Sequence, residues 1–333
     1  MNKNDKSIAV IGAGAWGTAL AQNFASAEKD TTLWARETEV VTSLREKNGN
    51  SLFLPGFELS SAIKATSDLS EAVKANILLI VVPAQFIRST LKSIKPHIDS
   101  QKPIVLCSKG IEIETGYLLS RVCQEEMPEN PVAVLTGPTF ASEIAKGLPS
   151  AMTLACETKD MARSLRESLN TKKLRIYITD DILGTQLGGA VKNVIAIGCG
   201  IIHGLGFGES ARAALVTRGL AEMGRLASAI GANKTTLMGM CGVGDLMLTC
   251  SSMQSRNFSL GYALGSGETL KEILAKRNSV TEGVHTAKAL ITLAKNNAVE
   301  MPISEGVHAC LSGEKTAREI VDKILERPLR DAI

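Results

Sequence analysis

The hexapeptide Gly12-Ala13-Gly14-Ala15-Trp16-Gly17 follows the aliphatic run Ile8-Ala9-Val10-Ile11 and precedes a helical pattern that begins at Thr18. G-x-G-x-x-G is a weak pattern by itself, but a strand before it and a helix after it give each glycine a task. Gly12 permits the tight turn, Gly14 lets the backbone approach a pyrophosphate, and Gly17 lets the helix lie close on the strand. The helix N-terminus faces the anion. The start of the chain is thereby committed to the β–turn–α unit of a dinucleotide-binding fold. The same stretch has a second reading: Lys3 and Lys6 ahead of an apolar run to Ala21 superficially resemble a signal peptide. The regular glycine spacing favours the fingerprint.

Proline divides the rest of the chain. Eight of ten prolines fall at or before Pro149 and none lies between 150 and 301. Proline punctuates strands and loops and is excluded from helix interiors. The first part is therefore expected to be loop-rich α/β and the later part mostly helical. Aliphatic runs suited to buried strands occur at Ser7–Ile11, Thr31–Trp34, Ile77–Val82, Ile104–Cys107 and Val132–Leu135, with further strands at Met152–Ala155 and Leu174–Ile178. Helical segments at Thr18–Ala27, Glu37–Lys47 and Gln85–Ile94 alternate with them. This alternation predicts a Rossmann-type, doubly wound parallel sheet with right-handed crossovers over 1–181, followed by a mostly α-helical domain over 182–333. Residues 182–202 read as a buried helix linking the two. Helical faces occur beyond it at Val216, Leu220, Met223, Ala227 and Ile230, and at Ala287, Leu290, Ile291 and Ala294. The longest uninterrupted aliphatic stretch, Ile77–Val82, is too short to span a bilayer, so no membrane insertion is expected.

Composition narrows the function. The net charge of +3 argues against nucleic acid as a partner, and 2 Trp, 3 Tyr and 7 Phe are too few for a base-stacking platform. Seven scattered cysteines form no C-x-x-C pair, which suits reduced thiols in a reducing, cytoplasmic compartment. Together with isolated histidines, they give no structural metal site.

Several places carry chemistry. Arg36 follows the second strand, where a guanidinium can pair with a 2′-phosphate and favour NADP(H), although NAD stays open; the adjacent Glu37 starts the next helix. Lys109, in Ser108-Lys109-Gly110, ends a strand on the side where doubly wound folds bind ligands. Gly137-Pro138-Thr139-Phe140-Ala141 turns sharply into a short helix with free N–H groups. Lys192 sits in the middle of an apolar helix. Burial there lowers a lysine's pKa and suits it to general acid/base work. Further on, Ser255-Arg256-Asn257 places a hydroxyl, a guanidinium and an amide in a row, a set that matches a phosphate at a helix start. Glu282 either meets a cofactor amide or caps a helix.

The ordered set Gly-Ala-Gly-Ala-Trp-Gly-Thr-Ala-Leu, Ser-Lys-Gly, Gly-Pro-Thr-Phe-Ala, Val-Lys-Asn-Val, Gly-Asp-Leu-Met-Leu-Thr-Cys, Ser-Arg-Asn and Glu-Gly covers residues 8 to 283. It resembles the bacterial-type NAD(P)-dependent glycerol-3-phosphate dehydrogenases. The resemblance implies that Lys192 is the proton donor to dihydroxyacetone phosphate and the acceptor in reverse. It implies substrate contacts from Lys109, Gly137, Thr139, Asp245, Ser255, Arg256 and Asn257. Ala15, Trp16, Arg36, Lys109, Ala141, Arg256, Val280 and Glu282 would line the cofactor, and Asn193 and Asp245 would orient Lys192. Family members often carry a serine where Ala15 stands, so one hydroxyl contact is missing and the backbone donor remains. The resemblance also implies a homodimer and a role in supplying glycerophospholipid synthesis. Two other readings fit the cofactor domain: a ketopantoate- or 2-hydroxyacid-type reductase, and a non-catalytic NADP(H)-sensing regulator.

Overall fold

The computed structural model describes residues 6–277 and 280–326. Strands β1 (Ile8–Ile11), β2 (Thr31–Trp34), β3 (Lys64–Thr66), β4 (Ile77–Ile80), β5 (Ile104–Leu106), β6 (Val132–Thr136), β7 (Ser150–Cys156) and β8 (Leu174–Thr179) form one sheet in the order β3-β2-β1-β4-β5-β6-β7-β8. β1, β4, β5 and β6 are buried throughout because helices cover both faces, as a central parallel strand requires. The chain winds outward from β1 through β2 to β3, then returns to place β4 on the other side of β1. That reversal opens a crevice beyond the carboxyl ends of β1 and β4.

The sheet corrects two expectations. It is mostly parallel, not wholly so: β7 runs antiparallel to β6, and β8 is parallel to β7. The start of β7 therefore lies at the carboxyl end of β6, with Thr153 beside Thr136. The three-residue edge strand β3 is an addition to the strands expected from the aliphatic runs.

The helices between strands are α1 (Ala15–Ser26), α2 (Thr38–Lys47), α3 (Leu69–Ala72), α4 (Ile87–Ile94), α5 (Leu119–Glu126), α6 (Ala141–Ala145) and α7 (Lys159–Leu169). α1 begins three residues before Thr18, inside the glycine fingerprint. Next come α8 (Ile182–Gly204), α9 (Glu209–Ala229), α10 (Asp245–Cys250), α11 (Arg256–Gly265), α12 (Leu270–Ala275), α13 (Glu282–Asn296), α14 (Pro302–Leu311) and α15 (Ala317–Leu325).

α8 is the axis of the helical part. By length and composition it could cross a bilayer, but most of it is buried inside the molecule. Its glycines explain how closely its neighbours approach. A Cβ on Gly200 would overlap the Phe258 carbonyl, and one on Gly261 of α11 would overlap the Ile197 carbonyl. α8 and α11 therefore pack backbone against backbone, which fixes the start of α11 beside the middle of α8. Lys192 lies ten residues beyond Ile182, roughly 15 Å along the helix axis.

Candidate active site

The crevice starts at the glycine turn. Gly12 has φ +116, a conformation that favours glycine, and packs its backbone against Val81 after β4. A Cβ on Gly17 would overlap the Gly12 carbonyl oxygen, so only glycine lets α1 fold back this tightly. Gly14 is the N-cap of α1, supplies no side-chain cap, and has open space where its Cβ would stand. The first N–H groups of α1 therefore face an accessible opening, as anion binding demands. Nε1 of Trp16 is buried with no partner among the described residues. Ala15, Trp16 and Ala141 border the same apolar core, and α6, which Ala141 opens, packs on α1.

Lys109 leaves the carboxyl end of β5. Ser108 holds its loop down by donating to the Val82 carbonyl at 2.5 Å. The Lys109 ammonium donates to the Gly137 carbonyl at 3.0 Å and to Asp245 Oδ2 at 2.7 Å. Asp245 opens α10 directly after a π-helical turn, Met240–Gly244, an irregularity frequent at functional sites. Its side chain is wholly buried, and Oδ1 accepts from Lys192 Nζ at 2.6 Å. Lys192 makes a second bond to Thr249 Oγ1 at 2.7 Å. One carboxylate thus joins two ammonium groups in a row, with Asp245 and Lys192 buried and Lys109 partly exposed. Burial pushes the Lys192 pKa down to about 8, and the neighbouring Lys109 charge acts in the same direction, while Asp245 opposes both.

A second group of polar side chains joins three helices. Asn193 Oδ1 accepts from Asn257 Nδ2 at 2.9 Å, and Asn257 Oδ1 accepts from the Gly283 N–H at 3.0 Å. This corrects one expectation: Asn193 orients Asn257, and Asp245 with Thr249 orients Lys192. The Asn257 amide is engaged at both its nitrogen and its oxygen, and its backbone N–H lies in the first turn of α11. Ser255 caps α11 by accepting from the Phe258 N–H at 3.2 Å. Arg256 comes directly after it. Arg277 lies alongside and donates to the Arg256 carbonyl at 2.8 Å. Desolvation by the surrounding protein lowers the Arg256 pKa, and the nearby Glu282 carboxylate opposes that shift.

Glu282 bridges the two halves of the chain. One oxygen accepts from the Ala84 N–H at 3.2 Å, and the other is buried without a partner among the described residues. Burial raises its pKa to about 7. An orphaned acceptor above the crevice is what a cofactor amide would satisfy, so the residues fit a nicotinamide dinucleotide stretched from Gly14 towards Glu282. Thr139 stays beside Gly137, donating to its carbonyl at 3.5 Å, and Val280 is exposed just ahead of α13. Arg36 stands apart at the end of β2, 73% exposed, with its guanidinium on Glu37 Oε1 at 2.8 Å. Thr249 and Ala84 join the site without having been expected from the sequence. The i,i+4 spacing from Asp245 to Thr249 is a usable signal; nothing in the sequence marks Ala84.

The N-terminus model of the NAD-dependent glycerol-3-phosphate dehydrogenase family matches residues 7–162, and the family's C-terminus model matches residues 181–322. The chain belongs to this family. It is 52% identical over 325 residues to the glycerol-3-phosphate dehydrogenase [NAD(P)+] of Parvibaculum lavamentivorans, covering 98% of each chain. With the enzyme of the same description from Rhodospirillum rubrum it shares 50% over 331 residues, 99% of this chain and 95% of that one. The crystal structure of glycerol-3-phosphate dehydrogenase from Coxiella burnetii superposes with a TM-score of 0.93 at 38% identity, covering 97% of this chain and 99% of that one. The glycerol-3-phosphate dehydrogenase family consists of NAD(P)-dependent oxidoreductases, and the two-part architecture seen here is theirs. A ketopantoate reductase from Ralstonia eutropha, at 15% identity and a TM-score of 0.57, shares the fold alone.

Proposed function

We propose that the chain reversibly reduces dihydroxyacetone phosphate to sn-glycerol 3-phosphate with NAD(P)H, supplying glycerophospholipid synthesis. The observation that carries the reading is the Lys109–Asp245–Lys192 row, in which a buried carboxylate joins a buried and a partly exposed ammonium. We divide the chain at 181/182 into a cofactor domain and a helical substrate domain, and place it in the cytoplasm as a homodimer without membrane insertion.

When bound, the nicotinamide supplies or accepts the hydride at C2. Reduction builds negative charge on the C2 oxygen. The Lys192 ammonium donates a proton to that oxygen and is left as a neutral amine, to be reprotonated from solvent. In the oxidative direction the neutral amine takes the alcohol proton. A pKa near 8 keeps both forms within reach of neutral pH. The Lys109 ammonium beside it stabilises the developing alkoxide in a site largely shielded from water. Asp245 holds both ammonium groups at fixed positions and offsets the cost of burying two like charges. Gly137 and Thr139 border the substrate next to Lys109. Ser255, Arg256 and Asn257 hold the phosphate at the N-terminus of α11, so binding energy remote from C2 fixes the carbonyl for attack. Gly12, Gly14, Ala15, Trp16 and Gly17 receive the pyrophosphate, with Ala141, Arg256, Val280 and Glu282 along the rest of the cofactor.

The phosphate requirement separates this reading from an unphosphorylated-ketone reductase. NADPH oxidation is expected with dihydroxyacetone phosphate and at least about 100-fold less, by kcat/KM, with dihydroxyacetone, since the charge-assisted bonds to phosphate are lost. Equal rates with both ketones would overturn it. No substrate-dependent oxidation at all would favour the regulator reading.

Arg36 is proposed to favour NADPH. Its guanidinium is already shared with Glu37, whose charge repels a 2′-phosphate and suits a free ribose hydroxyl, so the preference is modest. Arg36→Ala is expected to weaken NADPH binding by about tenfold or more while leaving NADH within about twofold. Equal losses for the two cofactors, measured by fluorescence titration, would refute the 2′-phosphate role.

A further inference from the structure

A side chain outside all the sequence motifs fixes the cofactor turn. Asn50 lies beyond α2, 37 residues from Ala13 in sequence, yet its Nδ2 donates to the Ala13 carbonyl at 2.8 Å. The same amide nitrogen donates to Thr18 Oγ1 at 2.8 Å, and Thr18 Oγ1 donates to the Ala13 carbonyl at 3.1 Å. The Asn50 oxygen accepts from the Phe53 N–H at 3.1 Å, which anchors the amide to its own loop. Asn50 and Thr18 are both buried. Two donors therefore pin one carbonyl of the glycine fingerprint into the protein. The Ala13–Gly14 peptide is planar and trans, so its N–H points opposite to that carbonyl. With the oxygen held inward, the Gly14 N–H points the opposite way, and a Cβ on Gly14 would meet nothing within 4 Å.

We propose that Asn50, together with Thr18, is a positioning residue for the dinucleotide, presetting the peptide plane that presents N–H groups to the pyrophosphate. The assignment rests on the proposed dinucleotide role of this turn. Asn50 acts through Ala13. Without it only the Thr18 hydroxyl holds the Ala13 carbonyl, and the Ala13–Gly14 peptide can more readily turn an oxygen towards the phosphates, where like charge repels. The preorganisation contributes to cofactor affinity and not to the proton transfer at Lys192.

The test uses the full-length protein. Asn50→Asp keeps the acceptor for the Phe53 N–H and removes both donors; Asn50→Ala removes all three bonds. Dissociation constants for NADPH and NADH are measured by tryptophan fluorescence, and steady-state constants are measured with dihydroxyacetone phosphate. Both variants are expected to raise Kd and KM for each cofactor about tenfold, the scale of one or two lost hydrogen bonds. The kcat at saturating cofactor and the KM for dihydroxyacetone phosphate are expected to stay within about twofold. Thr18→Val should show the same selective loss, and Thr18→Ser, which keeps the hydroxyl, should restore affinity. Should the Asn50 variants fail to fold, the Thr18 pair carries the test. Unchanged cofactor Kd in folded variants would overturn the assignment, as would a matching loss in kcat and in the KM for dihydroxyacetone phosphate. A wild-type protein that binds NADPH but does not reduce dihydroxyacetone phosphate would refute the proposed reaction, and the Kd comparison would still decide the role of Asn50.

Discussion

Lys192→Ala is expected to lower kcat/KM for dihydroxyacetone phosphate by between roughly 10²- and 10⁴-fold, the usual contribution of a positioned general acid. NADPH affinity should be almost unchanged, because the glycine turn at the far end of the crevice does not depend on Lys192. The fold should survive. Asp245 keeps its partner Lys109 at 2.7 Å, so the variant leaves no uncompensated charge in the core, only a cavity along a helix packed on several sides. Kinetics and cofactor titration together check the prediction: retained turnover would remove the assigned role, and lost cofactor affinity would show that the lysine is needed for the architecture of the cofactor site.

Asp245→Asn should have a larger effect on the protein itself. The amide has nearly the same shape, but it removes the one negative charge between two ammonium groups. Breaking a buried ion pair in this way typically costs about 3–5 kcal/mol, which denaturant unfolding would register. Asp245 is also the group that holds the Lys192 pKa up against burial and against Lys109. Its loss should drive that pKa below about 8, so less of the acid form survives at neutral pH. The reductive rate should then decline at lower pH than in the wild type. Unaltered stability together with an unaltered pH limb would contradict a three-membered row of charges.

Much of this site is legible in the sequence, and the reasons are physical. Lys192 stands out because a charge inside an apolar helix needs a partner, and the structure supplies Asp245 and Thr249. The glycine turn is legible because the spacing of its glycines answers to close backbone approach: Gly17 against Gly12, and Gly12 against Val81. The antiparallel β7 is not, because a short, mostly buried run looks the same in either direction and only its connection decides which way it enters the sheet. β3 escapes notice because three residues with an exposed lysine at the sheet edge leave no periodic signal. Asn193 serves a different neighbour from the one expected: being adjacent to Lys192 in sequence places it about 100° round the helix, facing α11 instead. Asn50 is invisible for a related reason. The partners of its Nδ2 lie 32 and 37 residues away, and a polar residue in a loop carries no pattern.

The pH dependence of kcat/KM for dihydroxyacetone phosphate reduction tests the proton donor most directly. The donor must be protonated, and its pKa has been pushed down from the ordinary lysine value to about 8. The rate should therefore be flat on the acid side of that limb and fall tenfold per pH unit above about 8, with the opposite limb in glycerol 3-phosphate oxidation. The residual activity of Lys192→Ala should lack the limb. A profile that stays flat to about pH 10, near the ordinary lysine value, or a limb that persists unchanged in Lys192→Ala, would contradict Lys192 as the donor.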